Sequence, residues 1–243
     1  MKYLMAFSLL FISNWVAAQI TSTGQLLDAM QMKYRGDWFE TFTFEQQTIQ
    51  YDGNGAIRDT AVWNEAIHYP DKFRIDYAEE GRFVIFRNDS AYRFTNYEQQ
   101  SVRLEPQEFL LFKGGMYFMP AFQVLNKLKE YGYDTDIFRE DRLNGQRVYV
   151  VGAEKGNLKT KQFWVNADHF FTVRRISRVS QGRTLDVQYS NHQKFDGGWV
   201  EQTVTFYLDE RLIQVEQYLN IEVNQSLKDD IFNPKRPIKN WWK

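Results

Sequence analysis

Glu65 and His68 are the residues of this 243-residue chain whose types and spacing come nearest to a working acid and base, a carboxylate and an imidazole three positions apart. On a helix that spacing places both on one face. Here they fall in a run that reads as a strand, where a separation of three sends them to opposite faces. A zinc site needs further ligands, and neither His169 nor His192 has a second histidine close in sequence. Asp134-x-Asp136 and Asp229-Asp230 are acidic pairs of the kind that can exchange protons, but carboxylates at turns and strand ends account for them as well. Gly53-x-Gly55 lacks the rest of a dinucleotide fingerprint and reads as a hairpin turn. The chain has no cysteine, which removes thiol nucleophiles and disulfides, and no Gly-x-Ser-x-Gly elbow. The expectation is a non-enzyme with no catalytic set, no metal and no cofactor. A formal net charge of −1 gives no attraction to nucleic acid.

What the residue types favour instead is apolar binding. Aromatic residues make up 17% of the chain, enough for a core with apolar surface to spare. Met116, Phe118, Met119 and Phe122 follow the flexible pair Gly114-Gly115. Methionine is unbranched and polarizable, and suits a pocket that accepts variable apolar shapes. Such residues serve an ordinary core helix equally well. As a lid, they would close over Phe42, Phe44, Phe73, Ile75, Tyr92 and Phe94, and the enclosed space could hold an acyl chain at about 0.8 kcal/mol for each methylene buried. The tail Ile238-Lys-Asn-Trp-Trp-Lys243 offers Trp241 and Trp242 to a membrane, to an envelope protein or to the barrel itself.

The elements that must position these residues are mostly strands. From Tyr69 to Leu104 apolar and charged residues alternate, with Phe73, Ile75 and Tyr77 against Arg74 and Asp76, Tyr92 and Phe94 against Arg93, and Val102 and Leu104 against Arg103. Period two marks half-buried antiparallel strands with one wet, charged face and one aromatic face. Before them, Ser22-Thr-Gly-Gln25 resembles a capping box and predicts a helix over 23–35, and a hairpin turns at Asp52-Gly-Asn-Gly55. After Pro106 the rhythm breaks into an apolar, flexible loop from Gln107 through Gly114-Gly115 to Pro120, and then a helix with Phe122, Leu125 and Leu128 on one face. Strands resume at Asp134–Arg139, turn at Asn144-Gly145, and end in a long strand where Ile213, Val215, Leu219, Ile221 and Val223 keep one parity. The fold class is mainly β (α+β), an unclosed antiparallel barrel of about eleven strands with a helical lid.

Residues 1–18 read as a cleavable signal peptide, a short charged start and an apolar run ending in Val16-Ala-Ala18. The run is shorter than the roughly 20 residues a spanning helix needs. Residues 19–243 then form a single domain, and export without disulfides points to a periplasmic protein.

Several stretches carry a resemblance to the LolA/LolB-like lipoprotein-localisation family. They are Tyr69-Pro-Asp-Lys-Phe-Arg-Ile-Asp76, Arg87-Asn-Asp-Ser-Ala-Tyr-Arg-Phe94, Lys161-Gln-Phe-Trp-Val-Asn166 with Val173-Arg-Arg-Ile176, and Asp229-Asp-Ile-Phe-Asn-Pro234. The order of helix, hairpin, meander, helical insertion and meander is similar too, over nearly the whole mature chain. The resemblance implies an open barrel with a lid over an apolar cavity. It also implies a monomeric carrier or chaperone for lipid or lipoprotein acyl chains, or on the same fold an envelope sensor or protein-interaction module. The family often has a basic residue directly before the proline, where this chain has Tyr69.

Overall fold

The computed structural model describes residues 19–242, so the segment read as a signal peptide lies outside the described residues. Helix α1 (Thr23–Tyr34) starts where Ser22 Oγ accepts from the Gln25 backbone N–H, at 3.2 Å. The returning half of the expected box is shifted by one residue, since Gln25 Oε1 accepts from the Thr21 N–H at 2.8 Å. Leu26, Leu27 and Met30 form its fully buried stripe; each such side chain contributes about 1.5–3 kcal/mol of burial.

Thirteen antiparallel strands follow in one sheet. They are β1 (Thr41–Tyr51), β2 (Ile57–His68), β3 (Lys72–Asp76), β4 (Phe83–Arg87), β5 (Ser90–Thr95) and β6 (Glu98–Leu104) before the insertion. After it come β7 (Phe138–Leu143), β8 (Gln146–Val151), β9 (Gln162–Asn166), β10 (Thr172–Arg178), β11 (Thr184–Phe195), β12 (Gly198–Leu208) and β13 (Arg211–Val223). The first strand pairs with the last, so the sheet runs from β6 through β1 and β13 to β7. Its two edges, β6 and β7, are therefore joined in the chain by the helical insertion, which holds α2 (Glu108–Lys113), a 3-10 turn (Gly115–Phe118) and α3 (Ala121–Glu130). The barrel stays unclosed, and the insertion, with α1 packed on α3, lies over its inner face.

Thirteen strands replace the expected eleven. Strand β4, Phe-Val-Ile-Phe-Arg, gives no alternation because four consecutive residues are buried, both faces of the sheet being covered there. The strand expected at 134–139 begins later, at Phe138, because Asp134 caps a turn by accepting from the Asp136 N–H at 3.1 Å. Within the stretch expected as a loop, Glu108–Lys113 is helical, and Gly115–Phe118 is a 3-10 turn. At the Asn144-Gly145 turn both residues have positive φ, 51° and 83°, as a two-residue hairpin requires.

On β3 the charged face is not wet. Arg74 and Asp76 are 0% and 3% exposed. They lie beneath the C-terminal segment, whose Ile231 and Phe232 pack with Ala66, Phe83, Ile85 and Phe94 on the outer face. Arg74 grips Asp76 through two bonds of 2.7 and 2.8 Å, donates to the Ile231 carbonyl at 3.0 Å, and stacks over Phe83 at 4.4 Å. Trp241 Nε1 closes the group by donating to Asp76 at 2.7 Å.

Candidate functional site

Register decides which expected residues meet. Phe42 pairs with Ile67, Ile67 with Phe73, and Phe73 with Phe86, so these side chains share the inner face. Phe44 is opposite Glu65, and Glu65 is opposite Ile75, on the same face one step along. Phe94 instead pairs with Phe83, and Tyr92 with Ile85, which places both under the C-terminal segment. The six sheet aromatics and aliphatics singled out in the sequence thus divide, with four inside and two outside. Among the insertion residues, Met116 is buried in the inner core, and Phe118 and Met119 border it. Phe122 is 63% exposed. Leu128 of the expected stripe is buried in α3, joined by Val124 rather than by Phe122.

The inner floor is a chain of rings. Phe42 stacks on Phe44 at 4.4 Å, Phe44 meets Tyr218 at 4.3 Å, and Phe73 meets both Phe86 and the lid's Phe109 at 5.5 Å. Tyr69 stacks on Phe118 of the lid at 5.4 Å and donates its hydroxyl to the Lys113 carbonyl at 2.9 Å. The residue that stands where the family often has a basic group is therefore a tie between strand and lid. Further ties are Thr172 Oγ1 to the Phe112 carbonyl at 3.2 Å and Tyr117 Oη to the Phe170 carbonyl at 2.7 Å. The floor is covered by lid side chains. At the lid's side a cleft of about 620 Å³ remains, bounded by Phe86, Leu110, Leu111, Met119 and Tyr131, with Arg87, Asp89 and Lys127 at its rim.

Charges inside the barrel are what the sequence concealed. Lys113, the last residue of α2, forms an ion pair with Glu201 of β12, and their side chains are 1% and 9% exposed. Glu65 and Glu216 are also buried and feel the Lys113 charge. Gln46 bridges the two when its amide nitrogen donates to Glu65 Oε1 at 3.1 Å and Glu216 Oε2 at 3.3 Å, the orientation that also lets its oxygen accept from Thr48 at 2.9 Å. A second group ties the start of the lid to the far strands, with Glu108 meeting Lys161 at 3.1 Å, Arg175 at 3.3 Å and the Tyr133 hydroxyl at 2.5 Å. Glu216 and Tyr218 occupy the inward parity of β13, while Leu219, of the parity read as apolar, is 45% exposed. One signal existed for this inversion: Lys113 is a single cation in the apolar run Phe109–Met116. A buried cation requires carboxylates on whatever covers it.

Burial raises the Glu216 carboxyl to about 7 despite a hydrogen bond from Gln214 and the charge of Lys113. Glu65 is pushed well up, first by burial and then by the charge of Glu216. The folded protein therefore holds more protons on Glu216 than the unfolded chain between pH 4.5 and about 7, and its stabilising contribution is lost as pH rises through that window. His192, lowered to about 4 by burial, acts with the opposite sign below pH 6.5. A comparison of wild type with Glu216→Gln isolates the first effect. The melting temperature of wild type relative to the variant should fall as pH is raised from 5 to 7.5, and a constant difference contradicts the assignment. Glu65 and His68 do point to opposite faces, and His68 lies against Phe232 on the outer side.

No known family profile matches the chain, and no curated protein sequence does. Solved structures do. A LolA superfamily protein from Nitrosomonas europaea is 14% identical, with a TM-score of 0.57 over 88% of this chain and 98% of its own. A domain described as an outer membrane lipoprotein-sorting protein, from Vibrio parahaemolyticus, is 11% identical, with a TM-score of 0.59 over 87% and 96%. A DUF1329 family protein from Desulfovibrio piger is 15% identical, with a TM-score of 0.58 over 87% and 95%. The fold is thus shared with proteins of little sequence likeness, and the chain has the LolA-like fold.

Proposed function

We propose that the protein is a periplasmic, non-catalytic carrier or chaperone for the acyl chains of a lipid or lipoprotein. The observation that carries this reading is the separation of floor from cover: the aromatic inner face is closed by an insertion that enters and leaves at the two free edges of the sheet. Such a cover can lift without breaking a strand pair. Phe42, Phe44, Phe73 and Ile75 would then face the chain from the sheet, with Met116, Phe118 and Met119 from the lid, and Phe122 at the rim. Tyr92 and Phe94, under the C-terminal segment, serve the outer face instead. Twelve methylenes moved from water to this floor gain roughly 10 kcal/mol, enough to offset displacement of the lid's own side chains in part. The solved structure of the same fold that is described as an outer membrane lipoprotein-sorting protein domain supports the reading.

The test is uptake of a fluorescent dodecanoic acid, and extraction of lipid from protein purified from its own envelope. Saturable uptake near one chain per protein is expected. No uptake, together with no co-purifying lipid, overturns the proposal. The second reading, an interaction module using the tail, has Trp242 to work with at 36% exposed, while Trp241 is held by Asp76.

A further inference from the structure

We propose that the chamber around Lys113 is a recognition site for an ammonium group, and that Lys113 fills it only while the lid is shut. The inference rests on the reading that the lid lifts, and adds the headgroup chemistry that the interior would read.

The Lys113 ammonium lies 4.1 Å from the Tyr218 ring centroid, 5.2 Å from Phe109, 5.3 Å from Phe42 and 5.4 Å from Phe44. All four fall within the ~6 Å over which a ring face attracts a cation, and such aromatic cages recognise ammonium ligands generally. Glu201 pairs with the ammonium; Glu216 accepts from the hydroxyl of the caging Tyr218 at 3.2 Å, and Gln46 bridges Glu216 to Glu65. Three acidic side chains of the sheet thus share the chamber with one lysine, and Glu201 is the one ion-paired with it. The Glu65 Oε2 atom is buried with no hydrogen-bond partner, although Glu65 is 1% exposed. Such an atom is costly to leave unmade in a low-dielectric site. A latch to hold α2 down needs one counter-charge, and a buried ion pair adds little net stability over apolar packing. Four rings around the ammonium and an unmet Glu65 oxygen exceed what a latch requires.

Three of the rings and all three carboxylates belong to the sheet, in β1, β2, β12 and β13; Lys113 and Phe109 belong to α2. When α2 lifts, the cation leaves with the lid and its counter-charge, Glu201, stays behind on a dry floor. A ligand whose acyl chain lies on Phe42, Phe44 and Phe73 and whose ammonium replaces that of Lys113 restores the balance. An anionic or neutral head at the same place leaves it unrestored. The ligand class is therefore an acyl chain joined to an ammonium group, borne by an aminolipid headgroup or by a lysine or terminal amine of an acylated peptide.

The test measures binding of dodecyltrimethylammonium, dodecanol and dodecanoate, each below its micellar concentration, to wild type, Lys113→Met, and Lys113→Met with Glu201→Gln. Lys113→Met should bind the cation at least tenfold more tightly than dodecanol and dodecanoate least of all. Adding Glu201→Gln should remove most of that preference. If Lys113→Met does not fold, wild type and Glu201→Gln are compared, and the cation preference of wild type should exceed that of the variant at least threefold. Equal binding of all three amphiphiles overturns the ammonium site while leaving the carrier reading intact; binding of none overturns both. Competition for the bound cation by dilauroyl phosphatidylethanolamine supports a lipid source, and competition by a dodecanoylated lysine peptide supports a peptide source. Displacement by neither contradicts the site.

Discussion

Arg74→Ala should cost about 3–5 kcal/mol of folding stability, the loss expected when one partner of a buried ion pair is removed. The side chain is 0% exposed, and its guanidinium holds both oxygens of Asp76. Without it the Asp76 carboxyl keeps only the Trp241 N–H, in a place where burial already raises its pKa against the pull of Arg74. The Ile231 carbonyl loses its donor and Phe83 loses the cation stacked on it. For a chain of this length the melting temperature should drop by roughly 6–20 °C. Arg74→Met combined with Asp76→Leu should recover much of the loss, because apolar side chains need no counter-charge. Urea denaturation of the single and double variants checks this. A loss under about 1 kcal/mol for Arg74→Ala would show that the C-terminal segment does not seal the pair from water.

Gly114→Ala should unseat the lid while sparing the sheet. Gly114 joins α2 to the 3-10 turn with φ of 150°, a conformation side chains rarely adopt. An added methyl would lie 2.6 Å from Trp38 Nε1 and 3.0 Å from the Tyr69 ring, the residue that ties the Lys113 carbonyl. Backbone strain and overpacking each contribute about 1–3 kcal/mol. The shift is large enough to raise amide exchange across residues 108–130 at least tenfold. Strands β1, β2, β12 and β13 should keep their protection, since none of their pairing involves the insertion. Exchange that quickens equally in lid and sheet contradicts a separable cover, and exchange that does not change contradicts the tight seat of Gly114.

The architecture was legible in the sequence where one face of a strand meets water, and blurred where both faces are covered. Alternation located β3 and β5, the Asn144-Gly145 turn located the β7–β8 hairpin, and Ser22 located α1. Strand β4 escaped notice because Ile231 and Phe232 cover its outer side, and nothing local to Phe83–Arg87 announces a segment nearly 150 residues downstream. The same long-range cover turned Arg74 and Asp76 from a solvated pair into a buried one. Within the site, parity alone groups Phe42 with Phe44 and Phe73 with Ile75, and register through β2 joins the two pairs. Tyr92 and Phe94 could not be placed against them, because parity is defined within a strand, and pairing register alone relates one strand's faces to the next. The charged interior was hidden for a different reason. Glu65, Glu201 and Glu216 look like the solvent half of an amphipathic pattern until Lys113 is found lying across them.

The measurement that bears most directly on the separable lid is a distance between two spin labels. The chain has no cysteine, so cysteines placed at Gln123 on α3 and Arg211 at the start of β13, both exposed, carry the only labels. Dodecanoic acid bound to the protein should lengthen the separation by roughly the diameter of a helix, ~10 Å, with a fraction shifted that follows occupancy. Full occupancy with the distance unchanged would contradict a chain bound beneath a lifted lid.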